Sequence, residues 1–177
     1  MAQAVTAQGE VGLRELALQG DEAAFEALVG PLVEPAIRLA YSMLGDRWEA
    51  EDAAQEAVTR AWRKLHQLRP GMPVRPWFLA IVVNQCRNVR RTRWFKTVRL
   101  PEVFRARADV DLEKLDLERA LERLPGTDRQ AIFMHFYLDL GVEEVAAVLG
   151  ISASAARGRI YRACRRLRPG LVEEDLG

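Results

Sequence analysis

Cysteine and histidine are scarce, with two of each in 177 residues. Cys86 and Cys164 lie far apart and form no CxxC pair, and His66 and His135 stand alone. Neither a disulfide framework nor a zinc site has the spacing it needs. Two separate cysteines suit a reducing, cytoplasmic compartment. No apolar run reaches the roughly 18 residues that span a bilayer. The opening MAQAVTAQGEVG lacks the basic and apolar segments of a signal peptide. Membrane insertion is therefore not expected. Alternation of apolar and polar residues, the mark of a half-buried strand, is missing too, which predicts an all-α fold. No cluster of carboxylates, histidines or cysteines suits a metal or a nucleophile, so neither an enzyme nor a cofactor is expected.

What is present is charge, unevenly placed. The formal net charge of +1 hides a strong segregation. Residues 1–60 carry 4 basic and 11 acidic side chains, a net of −7. Residues 61–108 carry 12 basic and 1 acidic (Glu102), a net of +11, and residues 109–177 carry 10 and 13, a net of −3. The basic middle points to a polyanion or an acidic partner. The acidic first third implies a different contact, such as a basic protein surface.

Helical periodicity runs through most of the chain. Asp21 is placed to cap a helix through EAAFEALV. Gly30-Pro31 separates it from a second apolar stripe, Ile37, Leu39, Ala40, Met43 and Leu44, which Gly45 closes. Asp46 opens the next helix, with Glu49 near a capping-box spacing. Along WEAEDAAQEAVTRAWRKL, Ala50, Ala54, Ala57, Val58, Ala61 and Leu65 form an apolar stripe. Acids at its start and bases at its end match the helix dipole. Opposite the stripe, Asp52, Gln55, Glu56 and Thr59 form one polar ridge. The ridge fits a solvated face and a partner-binding one equally.

The loop RPGMPVRP precedes a largely buried helix, WFLAIVVNQCRNVRRTRW, with Pro76 in its first turn and Trp77, Phe78, Ile81 and Val82 as core. Asn84 and Asn88 stand one turn apart beside Arg87 and Arg91, and the helix ends in Trp94 and Phe95. Such a face combines cations and aromatics as a single-strand groove does. An amphipathic helix with a basic end is the competing reading. Periodicity is lost from about Lys96 to Asp111, which predicts a linker. A second unit starts near Leu112, with Leu112, Leu115, Ala120, Leu121 and Leu124 on one stripe. Thr127 and Gln130 have the spacing of a capping box for DRQAIFMHFYLDL, and Gly141 is placed to end that helix.

The stretch GISASAARGRIYRACRRLR holds Arg157, Arg159, Arg162, Arg165, Arg166 and Arg168. At about 100° per residue, Ala156, Ala163, Cys164 and Leu167 fall near Ile160, while Arg159, Arg162 and Arg166 cluster outside. A short helix, VEEVAAVLG, precedes it. Gly150 permits a tight turn, and Ser152 can cap the second helix. Two short helices across such a turn describe a helix-turn-helix, whose second helix enters the major groove. Ser154, Ala155, Gly158, Arg159 and Arg162 would then face bases, and Arg157, Arg165 and Arg166 would grip phosphates. Gly158 fits either close approach to DNA or simple tolerance of glycine.

In this order, the segments GDEAAFEALVGPLVEPAIRLAYSMLGD, AEDAAQEAVTRAWRKL, RPWFLAIVVNQCRNVRR and ALERLPGTDRQAIFMHFYLDLGVEEVAAVLGISASAARGRIYRACRRLR resemble the extracytoplasmic-function (group 4) sigma factors of bacterial RNA polymerase. The resemblance covers roughly residues 19–95 and 112–168. It implies two small helical domains joined by a flexible linker. Along the chain this gives an N-terminal tail (1–18), a region 2-like domain (19–95), a linker (96–111), a region 4-like domain with the helix-turn-helix (112–170) and a C-terminal tail (171–177). The implied function is that of an alternative sigma factor, which binds core RNA polymerase and directs promoter recognition, DNA melting and initiation at particular genes. The implied partners are the β′ clamp helices and β subunit of the core enzyme and promoter DNA, with room for an anti-sigma factor.

By position, Asp52, Gln55, Glu56 and Thr59 fall on the family's clamp-binding helix. Arg75, Trp77 and Asn84 fall on its R-x-W…N segment near the non-template strand. The minus-ten candidates are thus Arg75, Asn84, Arg87, Asn88 and Arg91, with Trp77 read as core. The loop Leu68–Val74 falls where the family selects a flipped-out base. The minus-thirty-five candidates are Ser154, Ala155, Arg157, Gly158, Arg159, Arg162 and Arg166. Val83 stands where the family usually has arginine, and Asn88 where it has aspartate. Of the frequent G-T-V-K-S-R only the basic pair, Arg157 and Arg159, is kept, so no promoter sequence is implied. The competing function is a regulator that binds duplex operator DNA as a helix-turn-helix dimer, which leaves residues 19–95 without a purpose.

Overall fold

The computed structural model describes residues 7–96, 121 and 123–167. The linker expected beyond Lys96, the second-unit stripe from Leu112 to Ala120, Arg168 and the tail at 171–177 lie outside the described residues, as do the side chains of Trp94 and Phe95. Every regular element among the described residues is helical. In chain order they are α1 (Ala7–Leu18), α2 (Glu22–Leu44), α3 (Arg47–Lys64), a 3-10 turn (Leu65–Gln67), α4 (Val74–Lys96), α5 (Gly126–Ile132), a π-helical turn (Phe133–Tyr137), α6 (Val142–Leu149) and α7 (Ala153–Leu167). The chain divides into two compact units, Met1–Thr92 with Ala147–Gly150, and Arg93–Ala146 with Ile151–Gly177.

In the first unit the helix ends are set by the expected caps. Asp21 Oδ1 accepts from the Ala24 N–H at 3.0 Å, and an Asp46 carboxylate oxygen accepts from the Glu49 N–H at 2.9 Å. Gly45, at φ 71°, closes α2 with its N–H on the Tyr41 carbonyl. Each bond satisfies a group the helix itself leaves without a partner. Alanines 50, 53, 54, 57 and 61 are fully buried on α3, and α3 packs against α2 along its length. Trp62 meets Phe25 edge-on, ring centres 4.9 Å apart.

Gly30-Pro31 does not break the helix: α2 runs through both Pro31 and Pro35. An interior proline costs about 3 kcal/mol, because it lacks the N–H and crowds the carbonyl four residues back. Buried Leu28 and Val29 before the prolines and Leu39 and Met43 after them offset that cost, at roughly 1.5–3 kcal/mol each. By length and composition alone α2 is apolar enough to cross a bilayer. Its Ala36, Leu39 and Ala40 are instead fully buried within this unit, where it packs on α1 and α3.

The segment 1–18, expected as a tail, is not one throughout. From Ala7 to Leu18 it is helix α1, which packs on α2 and buries Ala17. An isolated helix of this length is marginal in water, so its order comes from these contacts.

In the second unit, α5 packs against α7 around Leu124, Ile132 and Ala163, with Leu121, Cys164 and Leu167 against them. The capping box expected at Thr127 and Gln130 is absent. Pro125 occupies the cap position without a side-chain bond, and Gln130 is buried. Gly141 does not end that helix either. The π-helical turn stops at Tyr137, with Leu138 N–H on the Phe133 carbonyl and Asp139 at φ 51°. Gly141 instead precedes α6, where its N–H donates to Glu144 Oε2 at 2.9 Å.

The helix-turn-helix forms as its turn chemistry requires. Gly150 adopts φ 67°, the left-handed conformation that glycine takes without a steric cost, and the Ile151 N–H returns to the Ala146 carbonyl at 3.0 Å. Ser152 Oγ accepts from the Ala155 N–H at 3.2 Å. Helix α7 then buries Ala156, Ile160 and Ala163, the stripe its periodicity implies.

Candidate functional site

The candidate residues fall on three helix faces. On α3, Asp52, Gln55 and Thr59 are exposed along one side, opposite the buried alanines. Thr59 Oγ1 donates back to the Gln55 carbonyl at 3.3 Å. Glu56 is half-buried and pairs with Arg60 Nε at 2.9 Å. A half-exposed pair of this kind contributes about 0–1 kcal/mol, so Glu56 can exchange Arg60 for another cation at little cost.

On α4, Asn84, Arg87 and Arg91 are exposed and recur at the spacing of one helix face, with Asn88 half-buried beside them. Arg87 Nη1 donates to Asn84 Oδ1 at 3.2 Å. The opposite side is core: Phe78, Leu79, Val82, Val83 and Cys86 are fully buried. Val83, which stands where the resemblance places an arginine, is therefore part of the core here. Arg75 is not brought to the same face. It is half-buried in the first turn of α4, nine residues before Asn84 and so about 13.5 Å away along the axis. Trp77 is half-buried rather than fully in the core.

On α7, Ser154, Ala155 and Arg157 are exposed, and Gly158 and Arg159 are half-buried. Arg162 and Arg166 are not free outer arginines. They converge on Asp128 of α5, Arg162 Nη2 at 3.5 Å from Oδ1 and Arg166 Nη1 at 3.3 Å from Oδ2. The Asp128 side chain is only 5% exposed, while the two arginines remain about half exposed. Gly158 lies beneath one of these two guanidinium groups. A Cβ there would meet Arg162 Nη1 at 3.3 Å, because a helical side chain lies back over the preceding turn. Glycine leaves room for Arg162 to lie across it.

Sequence reasoning missed Asp128, Glu10 and Arg14. No local signal marks Asp128, whose neighbours Thr127, Arg129 and Gln130 are polar; its burial beside two arginines appears only in the fold. Among the described residues no group of three or more histidines, cysteines or acids is placed to hold a metal. Burial pushes the Cys86 thiol up to about 11, so it stays protonated near neutrality and is a poor nucleophile.

Two family models match the chain, sigma-70 region 2 over residues 28–96 and sigma-70 region 4 over residues 114–167. The RNA polymerase sigma factor SigV of Bacillus subtilis is 30% identical over 144 residues, which cover 78% of this chain and 86% of that protein. The ECF RNA polymerase sigma factor SigE of Mycolicibacterium smegmatis is 32% identical, over 88% of this chain and 66% of that protein. The chain belongs to the extracytoplasmic-function sigma factors of bacterial RNA polymerase.

This sigma factor directs promoter recognition and transcription initiation as an alternative specificity subunit. A solved structure, CnrH in complex with the cytosolic domain of CnrY, aligns with it at 28% identity and a TM-score of 0.68, covering 89% of this chain and 93% of that one. The region 2 match ends with α4 at Lys96, and the region 4 match ends with α7 at Leu167. The competing reading as a dimeric regulator does not account for the region 2 match and falls away. Helix α1 of the sigma factor lies before both matches.

Proposed function

We propose that the three faces divide the work of initiation within two domains, 19–95 and 112–170, joined by the 96–111 linker. The α3 ridge, Asp52, Gln55, Glu56 and Thr59, docks on the basic clamp helices of β′. The α4 face, Asn84, Arg87, Asn88 and Arg91, tracks the melted minus-ten strand, with Arg75 and the Leu68–Val74 loop at its start. The observation that carries this reading is the division of α4 itself. Its cationic side is exposed while its other side is fully buried.

On α7, Arg159 with Ser154, Ala155 and Gly158 reads bases in the minus-thirty-five major groove, and Arg157 grips phosphate. Arg162 and Arg166 set the helix against α5 through Asp128, and a guanidinium has donors left over for a phosphate. The protein works in the cytoplasm, without catalytic chemistry of its own. The complex of CnrH with a cytosolic domain supports a protein partner, an anti-sigma factor, that withholds this chain from polymerase.

The test is reconstitution. The purified chain alone should bind promoter DNA weakly, and with core polymerase it should start transcription at one mapped site. A purified chain with no affinity for core polymerase would end this reading.

A further inference from the structure

The bonds that α1 makes to distant backbone converge on one loop. Glu10 Oε1 accepts from the N–H of Val74, the first residue of α4, at 2.7 Å. One turn further along α1, Arg14 donates to the carbonyls of Leu68 and Arg69, the latter at 3.0 Å. Leu68, Arg69 and Val74 are the two ends of the loop proposed above to select a minus-ten base. Between them lie Pro70, Gly71, Met72 and Pro73, all exposed, with no regular structure to fix them.

The local sequence is poorly equipped to hold this loop. Gly71 sits at φ 77°, and the turn around it is closed by one bond, Met72 N–H to the Arg69 carbonyl at 3.2 Å. Arg14 donates to that same carbonyl. The first turn of α4 carries no acid, so its positive dipole end and orphan donors find no local carboxylate. Glu10 brings one from 64 residues away. A carboxylate and a guanidinium, one turn apart on α1, thus pin the loop at both ends.

We propose that α1 is a brace that sets the position of the Leu68–Val74 loop, with Glu10 and Arg14 as positioning residues for base selection in the minus-ten element. This rests on the role proposed for that loop. A loop pinned at both ends cannot shift to accommodate a base of another shape, so a competing base meets a clash or an unpaired polar group that a loose loop would relieve. The brace lies outside the region 2 match at residues 28–96. Base selection by the matched domain then depends on a segment that precedes it.

The experiment uses the full chain with core polymerase on promoters that differ at one minus-ten base pair. Variants are Glu10→Ala and Arg14→Ala on the brace and Met72→Ala in the loop. The Met72 variant should change the base preference. The brace variants should flatten it by about two- to thirtyfold, with core polymerase affinity and minus-thirty-five dependence as in the parent chain. Arg14→Lys, which still donates to the same carbonyls, should recover part of the preference. A uniform loss of transcription on all promoters, with the preference intact, would mark α1 as merely structural. A shift with Met72→Ala but none with the brace variants overturns the brace and leaves the loop's role standing. No shift with any variant overturns both. Hydrogen exchange at the Val74 amide gives a readout without transcription: faster exchange in Glu10→Ala is expected, and unchanged exchange overturns the brace.

Discussion

Arg166 Nη1 lies 3.3 Å from Oδ2 of Asp128, across 38 positions of sequence, and so joins the last turns of the recognition helix to the first turn of α5. The other carboxylate oxygen faces Arg162 at 3.5 Å. Arginines that the sequence offers as DNA contacts therefore also hold the helix that presents them. Asp128→Ala leaves two cations facing each other around an empty acceptor site. The expected loss is about 1–3 kcal/mol of stability, toward the lower end because both arginines are half exposed. Urea denaturation of the full chain measures it, and a change under a few tenths would show that the pairing is incidental.

On the α3 ridge, replacing Asp52 and Gln55 together with alanine should weaken core polymerase binding by about 1–3 kcal/mol. Both side chains are exposed and alanine favours helix, so the circular dichroism spectrum and melting temperature should not move. Competition binding to core polymerase measures the loss. A changed promoter preference at unchanged affinity would show that the ridge belongs to another contact.

Arg159→Ala should relax the minus-thirty-five preference by about 1–3 kcal/mol at one base pair. Arg157→Ala should instead lower affinity evenly across sequences and flatten its salt dependence. Binding of polymerase holoenzyme to a panel of singly substituted promoters separates the two. An even loss from both variants would demote Arg159 to a phosphate contact.

Pro31 is exposed in the middle of α2, where its ring denies the Ala27 carbonyl a donor. Pro31→Ala restores that donor and should stabilise the chain by roughly 1–3 kcal/mol, less about 0.4–1 kcal/mol for the greater freedom it gives the unfolded state. A rise in melting temperature checks this. A fall would mean that the proline ring makes a packing contact worth more than the helix bond.

Cys86 predicts a dependence on pH. Its thiol is raised from 9.0 to about 11 by burial, so above about pH 9 the unfolded chain releases this proton while the folded chain keeps it. The unfolded state then binds fewer protons, and stability falls as pH rises from about 9 toward 11, with no such loss below that window. Cys86→Ala starts from lower stability because of the cavity it leaves, but should lose less across that range. Parallel melting curves from pH 7 to about 10.5 compare the two slopes.

Features that depend on residues a few positions apart were legible in the order of the side chains alone. Asp21, Asp46 and Ser152 accept from N–H groups three residues on, and Gly45 and Gly150 close helices through bonds four to five residues long. Such bonds are written in adjacent side chains. The 3.6-residue period likewise separated the exposed faces of α3, α4 and α7 from their buried sides, so most of the candidate site was legible in the residue pattern alone. Packing between distant segments supplied the remainder. It carried α2 through Pro31, turned residues 7–18 into a brace, and gave Arg162 and Arg166 a shared carboxylate. The Glu10 and Arg14 bonds span 54 to 64 residues and those of Asp128 up to 38. No local period or spacing records a pairing of that length. It exists only once burial has brought the helices together, and burial also outweighed the local cost of a proline within a helix.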